Sequence, residues 1–262
     1  MTIHKPNWKP AQNWPLFVLL IVATLWLTHA IAFFAHEYAH SFTAWLLGWK
    51  SNPLALNYGH LTLGNILAQV DIDENVDYKP IFASSHDVQA GIIAAAGMVI
   101  GNFLVTYPVS RLGYRAAKNG NRTGWAFFFY WLCAASVGNL IDYVPERTFA
   151  PSGDMHTVTQ GFHCSPWAII IILGIPFLIA LVHFFVKFAP GALRFILPGS
   201  RPKRITVAIL TALLIFGFYG SAGLTASDNV SHAISNVCIN GLIPLAAIIS
   251  VWITERRKSP NF

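Results

Sequence analysis

The feature that most limits what this chain can fold into is a series of six long apolar stretches. A helix that crosses a bilayer needs about 20 mostly apolar residues, because the hydrocarbon core is about 30 Å thick and each residue rises about 1.5 Å. The first stretch runs from Leu16 to about Trp49, and Leu16 to Ala35 carry no formal charge. The others are Ala90 to Ser110, Trp125 to Val144, Trp167 to Phe188, Thr206 to Leu224 and Ala233 to Ile253, each bounded by Pro, Gly or charge. Only 11% of the 262 residues are charged and 55% are hydrophobic, whereas a water-soluble globule carries about 25% charged residues. Too little polar surface remains to cover a compact body in water. The expected fold class is an all-α polytopic membrane protein of about six transmembrane helices, forming a single membrane domain over residues 1–262. Three cysteines, 19 glycines and 15 prolines exclude a disulfide scaffold and a collagen-like chain.

A net charge of +6 suits nucleic acid only if it forms a patch, and by position it does not. Fourteen of the 17 Lys and Arg fall before the first stretch, between the second and third, between the fourth and fifth, and after the sixth. Lys50, Lys79 and Arg147 lie on the other side. By the positive-inside rule both termini are cytoplasmic, in a plasma or inner membrane, and the bilayer makes nucleic acid an unnecessary partner. The opposite side collects Asp71, Asp73, Glu74, Asp77, Asp87, Asp142, Glu146, Asp154 and Asp228. No small-residue cleavage site follows the first apolar run, which reads as a retained span that doubles as the insertion signal.

Residues 49–87 differ from the rest. Asn52-Pro53, Asn57-Tyr58-Gly59 and Gly64-Asn65 are turn signals around the short runs Leu61 to Leu63 and Ile66 to Val70. That pattern predicts a small β-hairpin-like loop at the membrane surface.

The sharpest chemical signal is His36-Glu37-Tyr38-Ala39-His40. Residues four apart share a helical face, so two imidazoles can hold one metal while the adjacent carboxylate acts as general base on a water. A zinc hydrolase adds a third protein ligand from elsewhere. The competing reading is a polar helix end snorkelling into headgroups. Against it, Phe42, Ala44, Trp45, Leu46 and Leu47 continue the apolar sequence beyond the motif, and an ionisable residue within an apolar span marks function by default. His60, His86, Asp87, Asp142, Glu146, Asp154, His156 and His163 are candidates for the third ligand. Asp154 is preferred, because Ser152-Gly153-Asp154 reads as a turn delivering a carboxylate to the start of a helix. Asp142 and His156 are the alternatives. His29 shares the helical face of His36 and His40 but stands two turns away, which suits packing or an outer role.

With those motifs in place the chain resembles the site-2 protease family of intramembrane zinc metalloproteases. The resemblance rests on His36 to His40, on Gly97-Met98-Val99-Ile100-Gly101-Asn102-Phe103, and on Asn139-Leu140-Ile141-Asp142-Tyr143-Val144-Pro145 followed by Gly153-Asp154. It covers residues 30–160. It implies a three-helix metalloprotease core over residues 16–160, with residues 161–262 as three additional helices. The second stretch lacks the family's Pro, Asn139 and Pro145 are six apart where the family has about three, and Asp154 follows its Gly instead of preceding one. Family members hold zinc nearer the cytosolic face, whereas the charge count puts this motif on the other side. The resemblance implies one Zn2+ per chain on His36, His40 and Asp154. It also implies that Glu37 activates water, that Asn139 donates to the substrate carbonyl, and that the loop around Leu61 to Val70 offers a strand edge to a membrane protein or peptide substrate.

Two other classes remain. A ceramidase-like lipid amidase would use three His and an Asp, which His36, His40, His156 and Asp154 imitate. A non-enzymatic transporter or scaffold would keep a metal site without turnover. Di-iron hydroxylases need several His boxes, and only one occurs here. Cys133, Cys164 and Cys238 are isolated and read as buried packing.

Overall fold

The computed structural model describes Trp8 and residues 13–256. Lys5, Lys9, Arg257 and Lys258, which enter the charge count, lie outside the described residues. Six helices are long and apolar enough to cross a membrane: Trp14–Leu46, Asp87–Asn119, Thr123–Glu146, Gly174–Ile196, Arg201–Thr225 and Asn229–Arg256. They make this an all-α polytopic membrane protein. The first begins at Asn13, whose side chain accepts from Leu16 N at 3.4 Å, with Pro15 in the first turn where its missing N–H costs nothing.

The fourth span is displaced from its expected place. The apolar run from Trp167 is divided at Leu173 into a short helix, Pro166–Ile172, and a span that starts at Gly174 and continues to Ile196. Lys187 and Arg194 therefore belong to the helix itself.

The third span is the most enclosed of the six. Phe127, Tyr130 and Trp131 on it meet Phe17 of the first span, Tyr114 of the second, Phe184 of the fourth, Ile215 of the fifth and Cys238 of the sixth in one continuous core. At its end the chain leaves regular helix over Asp142–Glu146, where Val144 is extended. Glu146 is fully buried there. Its carboxylate accepts from Ser235 Oγ and from Cys238 Sγ at 3.1 Å, which ties the end of the third span to the sixth.

The expected hairpin after the first span is not formed, and among the described residues there is no strand. Asn57 and Asp73 form a single antiparallel bridge, but the segment inside it turns helical over Leu63–Ala68. Two side chains explain the difference. Thr62 caps the helix by accepting from Asn65 N at 3.1 Å. The buried Asn65 donates Nδ2 to Tyr58 O (2.8 Å) and His60 O (2.9 Å), and its Oδ1 accepts from Asp71 N. These bonds wind the chain around one side chain, and the backbone groups that would have offered a strand edge are spent within the helix. Lys50, at the end of the first span, donates to Ala55 O and Asn75 O and so closes the base of the loop. Trp26 reaches its tip, donating Nε1 to Ile66 O at 2.9 Å.

Candidate metal centre

Three side chains from two places in the chain meet at the first span. His36 and His40, both buried, bring their Nε2 atoms to 2.9 Å of one another. Asp154 Oδ2 lies 3.3 Å from each. The helix Asp154–Gly161 carries this carboxylate on its first residue. It is preceded by Gly153 at φ +85°, a backbone conformation that a side chain would strain. Met155 and Val158 seat the helix against Ala94 and Met98 of the second span and Leu140 of the third.

The other ring nitrogens are engaged in a way that settles the tautomers. His40 Nδ1 lies 2.6 Å from Ile93 O, and a carbonyl only accepts, so Nδ1 carries the proton. His36 Nδ1 lies 2.8 Å from Asn102 Oδ1, and Asn102 is oriented by donating Nδ2 to Ala32 O at 3.0 Å. His36 is therefore also protonated at Nδ1. Two Nε2 lone pairs and a carboxylate oxygen then face each other in a buried space, an arrangement that calls for a cation. Burial alone would raise the Asp154 carboxyl; a positive charge on His40, with hydrogen bonds from His36 and His40, holds it far below the usual carboxylate range, and a bound metal ion would supply that positive charge in place of the proton.

The dimensions suit a metal. Ligand atoms about 2.0–2.1 Å from a tetrahedral ion lie about 3.3 Å from one another, against 2.9, 3.3 and 3.3 Å here. Space for the ion is kept by Gly97 on the second span, where a Cβ would collide with Nε2 of both His36 and His40. His36, His40 and Asp154 thus form a group able to hold a metal ion. Tyr143 covers the His36 ring, 4.3 Å between centroids and nearly parallel.

Glu37 is 5% exposed and opens on a cavity of about 520 Å³ whose walls include His29, Tyr143, Asn139 and Tyr219. Asn139 donates one amide hydrogen to Ala135 O of its own helix at 3.0 Å. His29 bonds the Tyr219 hydroxyl through Nδ1 at 2.7 Å, in keeping with a role away from the metal group.

The other candidates for a third ligand are not in the group. Asp142 pairs with Arg147 Nε at 3.0 Å. His163 pairs with Asp87 at 2.9 Å on the surface. His156, two residues beyond Asp154, is outside the group as well, so the set of three His and an Asp is not assembled. Sequence reasoning assigned no role to Gly97, Asn102 or Tyr143. The signal for the first two was present in Gly97-x-x-x-Gly101-Asn102, small residues and an amide on one stretch of an apolar helix. Glu74, read as a surface acid, is buried; burial raises its carboxyl, and it interacts electrostatically with His40 and Asp154.

A scan against protein-family models gave no match, and neither the search of curated proteins nor that of solved structures gave one.

Proposed function

We propose that the chain is a membrane-embedded zinc metallopeptidase of the site-2 protease type, which hydrolyses peptide bonds of membrane-associated or transmembrane substrates. One observation carries this reading. Two imidazoles locked in the Nδ1–H form converge with a carboxylate, and a buried glutamate one residue from the first of them opens on a cavity.

Two imidazole nitrogens and a carboxylate oxygen are a donor set that zinc accepts. Bound there, zinc would supply a Lewis acid and bring the pKa of a water from about 15.7 to about 7. Glu37 takes the proton of the attacking water and returns it to the departing amine, so one side chain closes the proton balance. Asn139 holds its second amide hydrogen toward the Tyr219 hydroxyl and would turn it to the substrate carbonyl as charge develops on the carbonyl oxygen. A transmembrane substrate has to unwind before its carbonyl is open to attack, because a helix in hydrocarbon keeps its own hydrogen bonds. Strand addition at residues 61–70 forms no part of this mechanism, since Leu63–Ala68 within it is helical. By the positive-inside rule the termini are cytoplasmic and the metal group lies toward the opposite face.

Metal analysis of the detergent-purified protein is expected to find about one zinc per chain, lost in His36→Ala or His40→Ala. Glu37→Gln is expected to keep the zinc and lose cleavage of a fluorogenic transmembrane peptide. Full cleavage by that variant would remove the base assignment. Iron in place of zinc would point to oxygen chemistry on a two-His, one-carboxylate site. Fatty-acid release from an N-acyl lipid without peptide cleavage would make the enzyme a lipid amidase.

A further inference from the structure

At the end of the bundle opposite the metal group, cations gather with no carboxylate to meet them. Arg111 and Arg115 stand about one turn apart on the second span, and His183 and Lys187 about one turn apart on the fourth. The two spans run in the same direction beside the third. Phe103 meets Phe177 at 5.1 Å between centroids, and further along Tyr114 meets Phe188 at 5.0 Å. These two contacts put both cation pairs at one level, and His183 lies within electrostatic reach of Arg111, Lys187 and Arg115.

Arg111 is the innermost member. Its guanidinium is held 4.3 Å above the Phe188 ring, and Nη1 is shielded from solvent with no hydrogen-bond partner in the protein. A buried charged donor left in that state is costly. The chain has 11 acids, and Glu255 alone lies at this end; it pairs with Arg204 at 2.9 Å and Arg201 at 3.5 Å. Among the described residues, Arg111, Arg115 and Lys187 form no ion pair. The anion that would satisfy this cluster has to come from outside the chain.

We infer that Arg111, Arg115, His183 and Lys187 form a binding site for the phosphate of an anionic phospholipid headgroup. A guanidinium fork held over an aromatic ring can present two parallel N–H donors to phosphate oxygens, and Lys187 adds a mobile point charge. The surroundings favour a phosphate attached to acyl chains over a free one. Val109 and Leu112 on the second span and Ile179 and Val182 on the fourth are exposed apolar side chains next to the cluster, a surface that hydrocarbon covers. Basic pockets between spans are sites of this kind in membrane proteins generally.

Native mass spectrometry of the full chain, released from micelles carrying equal amounts of phosphatidylglycerol and phosphatidylcholine, tests the assignment. Wild type is expected to retain phosphatidylglycerol about tenfold over phosphatidylcholine. Arg115→Gln with Lys187→Gln, both at exposed positions where folding is little affected, is expected to abolish that preference, since about fivefold per charge exceeds it over two charges. Arg111→Lys keeps the charge but loses the guanidinium fork, and is expected to lower retention by about threefold or more. Arg122→Gln, at an exposed base outside the cluster, is expected to change nothing. An unchanged preference in the double variant would overturn the site, as would an equal loss in Arg122→Gln, which would indicate only general attraction to a basic surface. Displacement of the lipid by millimolar inorganic phosphate would overturn the lipid assignment in favour of a free anion.

Discussion

Asn102 determines which nitrogen of His36 faces the metal group. Its Nδ2 is committed to Ala32 O, so its Oδ1 is turned to His36 Nδ1 and the proton is held there. Asn102→Ala is expected to lower metal affinity by about 10- to 100-fold, the usual cost of losing the partner of a ligating histidine, read by competition with a chromophoric chelator. Unchanged affinity would show that the tautomer is set by something else. Gly97→Ala is expected to abolish metal retention outright, because its Cβ falls on both Nε2 atoms; full occupancy in that variant would contradict the geometry described. The two imidazoles and Glu37 were legible in the sequence because helical spacing is a local property. Asp154 was legible as a carboxylate after a glycine turn. Asn102 and Gly97 acquire their meaning only when the second span lies against the first, and no local pattern states which face of one apolar helix meets another.

Among the elements, the helix Asp154–Gly161 and the loop after the first span behave differently from what their residues suggest in isolation. The helix is short, and Asp154 is its one tie to the imidazoles. Chelation of the metal is therefore expected to increase amide hydrogen exchange through residues 153–163 while the six spans keep their protection; equal protection with and without chelator would mean that the helix is held by packing alone. In the loop, the Asn52-Pro53 signal falls on a turn, but Gly64-Asn65 lies inside a helix that forms where strands were expected. The cause is Asn65, whose buried side chain organises Tyr58, His60 and Asp71 at once, a role that propensity does not express. Asn65→Ala leaves those groups without partners and is expected to cost the loop about 1–3 kcal/mol, seen as faster exchange across residues 58–71. Protection equal to wild type there would transfer the role to the Asn57–Asp73 bridge.

For the whole molecule, six spans were readable because apolar length is a matter of composition, while their packing was not. The division at residue 160 is an example. Glu146, at the end of the third span, accepts from Ser235 and Cys238 on the sixth, and the same short segment carries Tyr143 against His36. Glu146→Ala strips both donors of their acceptor in a buried setting. It is expected to cost about 1–3 kcal/mol, measured as a lower melting temperature in detergent, and to weaken metal retention as Tyr143 shifts; a variant with unaltered melting and metal content would make the last three helices independent of the centre. The first span gives the molecule its vertical scale. At 33 residues it is about 50 Å long, against about 30 Å of hydrocarbon. His36 lies about 33 Å along it from Trp14, whose ring sits 4.9 Å from the Lys203 ammonium at the basic end. With Trp14 at one headgroup level, as the proposed topology has it, the imidazoles come to the level of the far headgroups; the water of the proposed hydrolysis would then arrive without a conduit through the lipid, and the slow traveller in turnover would be the peptide that has to be drawn up to it.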